Sequence, residues 1–217
     1  MPGRRGRPSD PRKDRAILDA AHCILFAQGP KALTMEAVAD AAQVSKATVY
    51  SRYANRIALL EAVVTREAVD IHRALQGTPG GRAELEQRLT RFVEDLVTFM
   101  CSARHQRFMQ ALAELPQRRG DLVQVYRNGP QRMLDVLTQY LAQASARGLL
   151  AVPDPLLSAE RLLGMAMGLD LVRSLYRVPL RHKNQAARAR HAGDVIRAFL
   201  GMHAGRGQSA CRPRKRR

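Results

Sequence analysis

From Ile17 to Leu200 the apolar side chains return every three to four residues, and no stretch alternates apolar with polar. That period matches one stripe of an α-helix and not the face of a strand, so the chain reads as all-α. Glycine and proline divide the pattern. Ile17, Ala20, Ala21, Ile24, Leu25 and Ala27 share one face of a first helix, about Pro11 to Gln28, which Gly29-Pro30 ends. Thr34 caps a short second helix that carries Met35, Val38 and Ala39 and closes near Ala42; Ser45 caps a third, about Lys46 to Tyr53. Asn55 opens a longer helix through Leu75, and Gly77 to Gly81 marks the boundary with a second domain. There the spacing predicts helices at about 83–102, 104–115, 119–147, 155–176 and 184–203, the third kinked at Gly129-Pro130. The expected layout is a disordered basic arm (1–11), a first domain (12–76), a larger second domain (82–204) and a disordered basic tail (205–217). A chain of 217 residues, 46% of them hydrophobic, can bury a core without disulfides or metal.

Two short helices joined by two or three residues, each opened by a hydroxyl cap, describe a helix-turn-helix across Thr34 to Tyr53. A helix that enters the major groove must lead with small or polar side chains, because bulky ones hold its backbone away from base edges. Ser45, Lys46, Ala47, Thr48 and Ser51 meet that demand. Val44 and Val49 are expected to point inward toward Val38 and Ile24, while Tyr50, Tyr53 and Arg56 reach phosphates on either side of the groove. The charge balance agrees: 36 Lys and Arg against 19 Asp and Glu, a net +17, suits a polyanionic partner. Much of the excess sits at the ends, in Arg4, Arg5, Arg7, Arg12, Lys13 and Arg15, and in Arg206, Arg212, Arg214, Lys215, Arg216 and Arg217. Arg5-Gly6-Arg7-Pro8 fits two readings, the core of a minor-groove AT-hook or a nonspecific phosphate tether. Arg212 to Arg217 either extends the nucleic-acid contact or is a solvated run. With no tryptophan and 5% aromatics, the chain lacks the stacking platforms of a single-strand binder, so duplex DNA is the expected partner.

Leu33 to Ala39, then Val44 to Tyr53, then Asn55-Arg56, preceded by Ile17 to Ala21 and Phe26 to Gly29, resemble the DNA-binding domain of TetR-family repressors in order and spacing. The resemblance covers roughly 12–64. It implies an all-helical homodimer with an N-terminal helix-turn-helix and a larger C-terminal domain for ligand sensing and dimerisation. It also implies DNA contacts at Thr34, Met35, Lys46, Ala47, Thr48, Tyr50, Ser51, Arg52 and Arg56; Ser45, Tyr53, Arg5 and Arg7 complete the expected DNA-binding set. Two residues depart from the family pattern. Gln43 stands where the turn usually carries Gly, so a side chain must accept φ > 0 or the turn must change. Ile57 replaces the usual Glu and removes a first-turn acid, at a small expected cost in stability. Leu112-Ala113-Glu114, Tyr126, Asn128-Gly129-Pro130 and Ala146 to Leu150 resemble AefR-like C-terminal domains, which names no ligand.

In the second domain Phe99, Met100, Phe108, Met109, Tyr126, Met133, Met165 and Met167 supply adaptable apolar surface for a ligand pocket. Glu114, Asp121, Asp135, Glu160 and Asp170 either recognise a cationic ligand or lie on a solvated face. The last two helices are expected to build an intersubunit four-helix bundle through Leu162, Leu169, Val195 and Phe199, with Gly164, Ala166 and Gly168 permitting close approach. Cys23, Cys101 and Cys211 form no C-x-x-C pair, and Cys101 with His105 offers two ligands where a metal needs three or four, so neither metal nor cofactor is expected. There is no H-E-x-x-H, G-x-S-x-G or phosphate loop, and the histidines show no dyad spacing, so the chain is read as a non-enzyme. The apolar stretch Leu162 to Leu169 is too short to span a bilayer. Pro8, Asp10, Pro11 and Asp14 follow Arg4-Arg5 where an export signal needs apolar residues, so the expected location is cytoplasmic. The expected function is a sequence-specific regulator, a repressor released from an inverted-repeat operator by a small-molecule effector. The alternative is a constitutive architectural DNA-binding protein without an inducer, and sequence preference separates the two.

Overall fold

The structure, a computed structural model, describes residues 10–114, 119–176 and 178–204, and among these every regular element is helical. The expectations for Arg5, Arg7 and the basic tail lie outside the described residues. α1 (Pro11–Gln28) starts where the Asp10 carboxylate accepts the Arg12 N–H, and it stops at Gly29 with φ 88°. A single 3₁₀ turn (Pro30–Ala32) leads to α2 (Met35–Ala41), and a tight turn leads on to α3 (Lys46–Tyr50). Asn55 opens α4 (Arg56–Arg73) by accepting the Ala58 N–H at 2.8 Å. The remaining helices are α5 (Arg82–Met100), α6 (Ala103–Glu114), α7 (Arg119–Tyr126), α8 (Arg132–Ala146), α9 (Pro155–Met167), α10 (Asp170–Leu175) and α11 (Gln185–Met202).

Two helices expected to be continuous are divided. A wide π turn (Arg127–Gln131) separates α7 from α8 around Pro130, which has no N–H to give to an α ladder and whose ring crowds the preceding turn. The span 155–176 breaks at Gly168, whose φ of 48° leaves the helical region and ends α9 before Asp170 starts α10.

The molecule forms two compact units, and they do not divide at Gly77 to Gly81. Of the described residues, one unit holds those up to Glu67 together with those between Ala103 and Tyr126; the other holds Ala68–Ser102 and those from Arg127 to Ala204. In the first, Ile17, Ile24 and Leu25 of α1 pack with Val38, Val49, Leu59, Leu60 and Val63, and α6 lies on α1 and the 3₁₀ turn. Phe108 is buried in that core and Met109 packs against it, so these two expected pocket residues belong to the first unit. The chain passes between the units at the break after α5, where the Ser102 hydroxyl donates to the Phe99 carbonyl at 2.7 Å and α6 begins at Ala103. Ile57, the departure from Glu, is buried in the same core and exchanges a first-turn charge for apolar burial.

The second unit is built on α5, α8, α9 and α11, with Phe92, Leu137, Tyr140, Leu162, Ile196 and Phe199 at its centre. Leu162, Val195 and Phe199 are therefore interior residues of one chain, not an exposed interface. The apolar stripe of α9 and α11 is consumed by packing within the unit. At the end of α11, His203 Nδ1 bonds to the Phe199 carbonyl at 2.9 Å and its Nε2 meets the Ser158 hydroxyl at 3.0 Å, closing the last turn onto α9.

Candidate nucleic-acid interface

The turn between α2 and α3 is set by the end of α2. The Gln43 N–H returns to the Asp40 carbonyl at 3.2 Å and the Val44 N–H to the Ala39 carbonyl at 3.0 Å, the paired bonds of a left-handed helix stop. Gln43 has φ 54°, so the backbone keeps the geometry that glycine usually supplies and a side chain bears the strain. Thr34 Oγ1 accepts the Ala37 N–H at 3.0 Å and Ser45 Oγ the Thr48 N–H at 3.2 Å, so both hydroxyl caps form. Val49 is fully buried and anchors α3 from behind. Ser45, Lys46, Ala47, Tyr50 and Ser51 are exposed, and Thr34, Thr48 and Arg56 are half-buried. α3 thus presents small and polar groups at its leading end, with the N–H groups of its first turn beside them. Lys46 lies 4.0 Å from Glu36, a loose surface pair that leaves its ammonium free to exchange partners.

Three residues of the expected contact set are turned elsewhere. Met35 is 5% exposed and fills the core, so its side chain does not reach DNA. Tyr53 is 9% exposed, and its hydroxyl donates to Asp14 Oδ1 at 3.0 Å. Burial first, and then that bond, push the Tyr53 pKa up to about 12. Arg52 Nη1 donates to the same carboxylate oxygen at 3.2 Å and to the Asp10 carbonyl at 3.3 Å, with 14% of its side chain exposed. Spacing showed these residues near the end of α3 but not which way they face, because their partners lie 38 and 39 residues earlier on α1.

In the second unit a small cleft is lined by Val97, Met100, Cys101, Ala166, Met167, Asp170 and Leu171 and leaves about 10 Å³, room for one water molecule. Of the expected pocket residues, Met100 and Met167 meet there; Met133 is buried in the surrounding core, Phe99 and Met165 pack against it, and Tyr126 is exposed. Asp170 is 5% exposed, whereas Asp135 and Glu160 lie in solvent. Its carboxylate accepts the backbone N–H groups of Arg181 (2.9 Å) and His182 (3.0 Å), His182 Nδ1 (2.7 Å) and Arg173 Nη1 (3.1 Å). Burial alone raises its pKa, but these donors outweigh burial and lower it to about 2. The charge in the cleft is therefore internally compensated. Cys101 is pushed up by burial and by Asp170, so it stands there as a neutral thiol. Among the described residues no cluster of three or more His, Cys, Asp or Glu could hold a metal, and no helix is long and apolar enough to cross a membrane.

Comparison with known families decides what these parts belong to. Residues 17–63 match the bacterial regulatory proteins of the tetR family, and residues 87–204, more than half of the chain, match the AefR-like transcriptional repressor C-terminal domain. The chain belongs to the TetR family of transcriptional regulators. A segment of 60 residues is 42% identical to YdeS, an HTH-type transcriptional regulator of Bacillus subtilis, and spans 28% of this chain and 30% of that relative. A TetR-family regulator from Mesorhizobium loti shares the fold over 89% of this chain and 97% of its own (TM-score 0.70, 24% identity). The flavonoid-responsive regulator FrrA matches over 91% and 100% (TM-score 0.67, 25% identity), and a TetR regulator from Agrobacterium tumefaciens over 90% and 95% (TM-score 0.70, 21% identity). This TetR-family chain is thus a DNA-binding regulator of a dimerising family. On its outer helices Leu157 of α9 and Ala198, Gly201 and Met202 of α11 are exposed, as is Leu169 at 66%. A Cβ added at Gly164 or Gly201 meets nothing within 4 Å.

Proposed function

We propose that this protein is a ligand-released repressor, a homodimer whose two α3 helices read the half-sites of an inverted-repeat operator. The observation that carries the reading is α3 itself, which exposes Ser45, Lys46, Ala47 and Ser51 while Val49 alone is fully buried. Such a surface suits base edges, with Thr48 and Lys46 in the groove and Thr34, Tyr50 and Arg56 on phosphates. The arm residues Arg5 and Arg7 add sequence-independent phosphate contact in this reading. Repression rather than activation is supported by the AefR-like repressor match. Dimerisation is assigned to the outward faces of α9 and α11, at Leu157, Gly164, Ala198, Gly201 and Met202, which replace the interior residues first expected there.

The effector in this reading is a small, uncharged, largely apolar molecule that enters the cleft at Met100, Cys101, Met167 and Asp170. The cleft leaves only about 10 Å³, so entry requires these side chains to move, and Asp170 has no unspent charge to offer a cation. About 3 kcal/mol of preference for the opened arrangement lowers operator affinity about a hundredfold. The flavonoid response of FrrA makes flavonoids the first compounds to try. The test is selection of duplexes from a random pool by the full chain, then addition of a flavonoid series to the enriched complex. An inverted repeat released by one of these compounds supports the reading; a pool that stays random contradicts it in favour of the architectural binder.

A further inference from the structure

A helix of five residues has little means of fixing its own direction. α3 packs against α2 and holds one fully buried side chain, and its hydroxyl cap is made within the helix, so none of these ties its trailing end to α1. Its far end is tied differently. Arg52 and Tyr53, directly after α3, converge on one carboxylate oxygen of Asp14 on α1, at 3.2 and 3.0 Å, and Arg52 also holds the Asp10 carbonyl at the mouth of α1. The Tyr53 ring is buried and the Arg52 side chain nearly so, which fixes their rotamers, while Asp14 keeps 48% exposure. A half-exposed carboxylate beside a surface meant for phosphates costs affinity for every DNA sequence; the first turn of α1 favours an acid, but that alone does not account for the convergence of Arg52 and Tyr53 on one of its oxygens.

We infer that Asp14 is a positioning residue for operator recognition, a latch that holds the trailing end of α3 at the angle from which Lys46 and Thr48 meet base edges. It touches no base in this account and acts through Arg52 and Tyr53. The inference rests on the reading of α3 as the groove helix. Its signature is a change in discrimination between DNA sequences and not merely in affinity, because a tilted helix loses base contacts while the positive surface still attracts phosphate.

The experiment compares full-length wild type with Asp14→Ala, Asp14→Asn and Tyr53→Phe. The readout is the ratio of affinity for the duplex enriched by the wild type to affinity for a scrambled duplex of equal length, at fixed salt. Asp14→Ala should lower that ratio about tenfold. Asp14→Asn keeps the oxygen that Arg52 and Tyr53 share, so it should retain the ratio while binding both duplexes more tightly. Tyr53→Phe removes one of the two bonds at little change in volume and should lower the ratio by a smaller factor, which keeps the test decisive if Asp14→Ala fails to fold. An unchanged ratio in Asp14→Ala, or in Tyr53→Phe should the alanine variant be unfolded, overturns the latch. Equal tightening by Asn and Ala shows only a repulsive charge and also overturns it. Failure of the wild type to enrich any consensus contradicts the operator-binding reading itself, whereas a consensus with unaltered ratios contradicts the latch alone.

Discussion

α3 contains five residues and one fully buried side chain, whereas the cleft of the second unit is assembled from 97–101 on one helix and 166–171 on two others. The first is a surface whose chemistry follows from neighbours in sequence: a cap, a spacing, a run of small polar groups. The second is an interior whose chemistry exists only after α5, α9 and α10 have packed. Substitutions at the outward face of α3 should therefore change recognition and spare stability. Substitutions in the cleft should change both together, because the same contacts hold the unit and shape its vacancy.

The largest effect expected tests where that line falls. Val49→Asp puts a carboxylate behind α3 and should cost more than about 4 kcal/mol, unfolding the first unit in thermal denaturation followed by circular dichroism. A Val49→Asp protein that melts near the wild type would show that α3 is not anchored from behind. Asp170 provides the counterpart in the second unit. A carboxyl held at about 2 against an ordinary 3.8 adds stability at every pH above about 4 and loses it as pH falls toward 2. The depression is worth about 2 kcal/mol, so in urea titrations Asp170→Asn should shrink the stability lost between pH 4 and pH 2 by about that amount. An unchanged acid limb would mean that the four donors do not favour the ionised form.

Gly201→Arg sharpens the comparison at the outer face of α11. A side chain there meets nothing within 4 Å of its Cβ, so a monomer should fold normally. The dimer should weaken at least about tenfold by sedimentation, as a large cation is forced into a close helix contact. A dimer of undiminished affinity would place the interface elsewhere. The smallest effect lies in the turn: Gln43→Gly relieves φ 54° and should stabilise the first unit by about 0.5 to 1 kcal/mol, measured by the same melts.

How far the chain could be read in advance follows the same division. The hydroxyl caps at Thr34 and Ser45 and the inward Val49 were legible because each depends on residues within a turn of one another. At Gln43 the family pattern left two outcomes, a positive φ or a changed turn, and the structure has the first. The inward turn of Met35, Arg52 and Tyr53 was not legible, since the last two face inward only because Asp14 waits on α1. Phe108 and Met109 carry the composition of a pocket, yet the chain passes from one unit to the other after Ser102, and α6 packs in the first. Leu162, Val195 and Phe199 show that a broad apolar stripe does not reveal whether its partner is the same chain or a second copy. One signal for the cleft was present: Asp170 closes the longest apolar stretch directly after Leu169, and an acid that is buried there needs donors from the fold.

The central claim is that α3 reads bases in a two-fold arrangement. Its most direct test is duplex selection from a random pool with the wild type and with Thr48→Ala in parallel. The wild type should enrich an inverted repeat, and Thr48→Ala should relax preference at the same base position in each half-site, by about 1 to 3 kcal/mol, with the rest of the consensus intact. An unsymmetrical consensus, or a Thr48→Ala consensus identical to that of the wild type at every position, would contradict it.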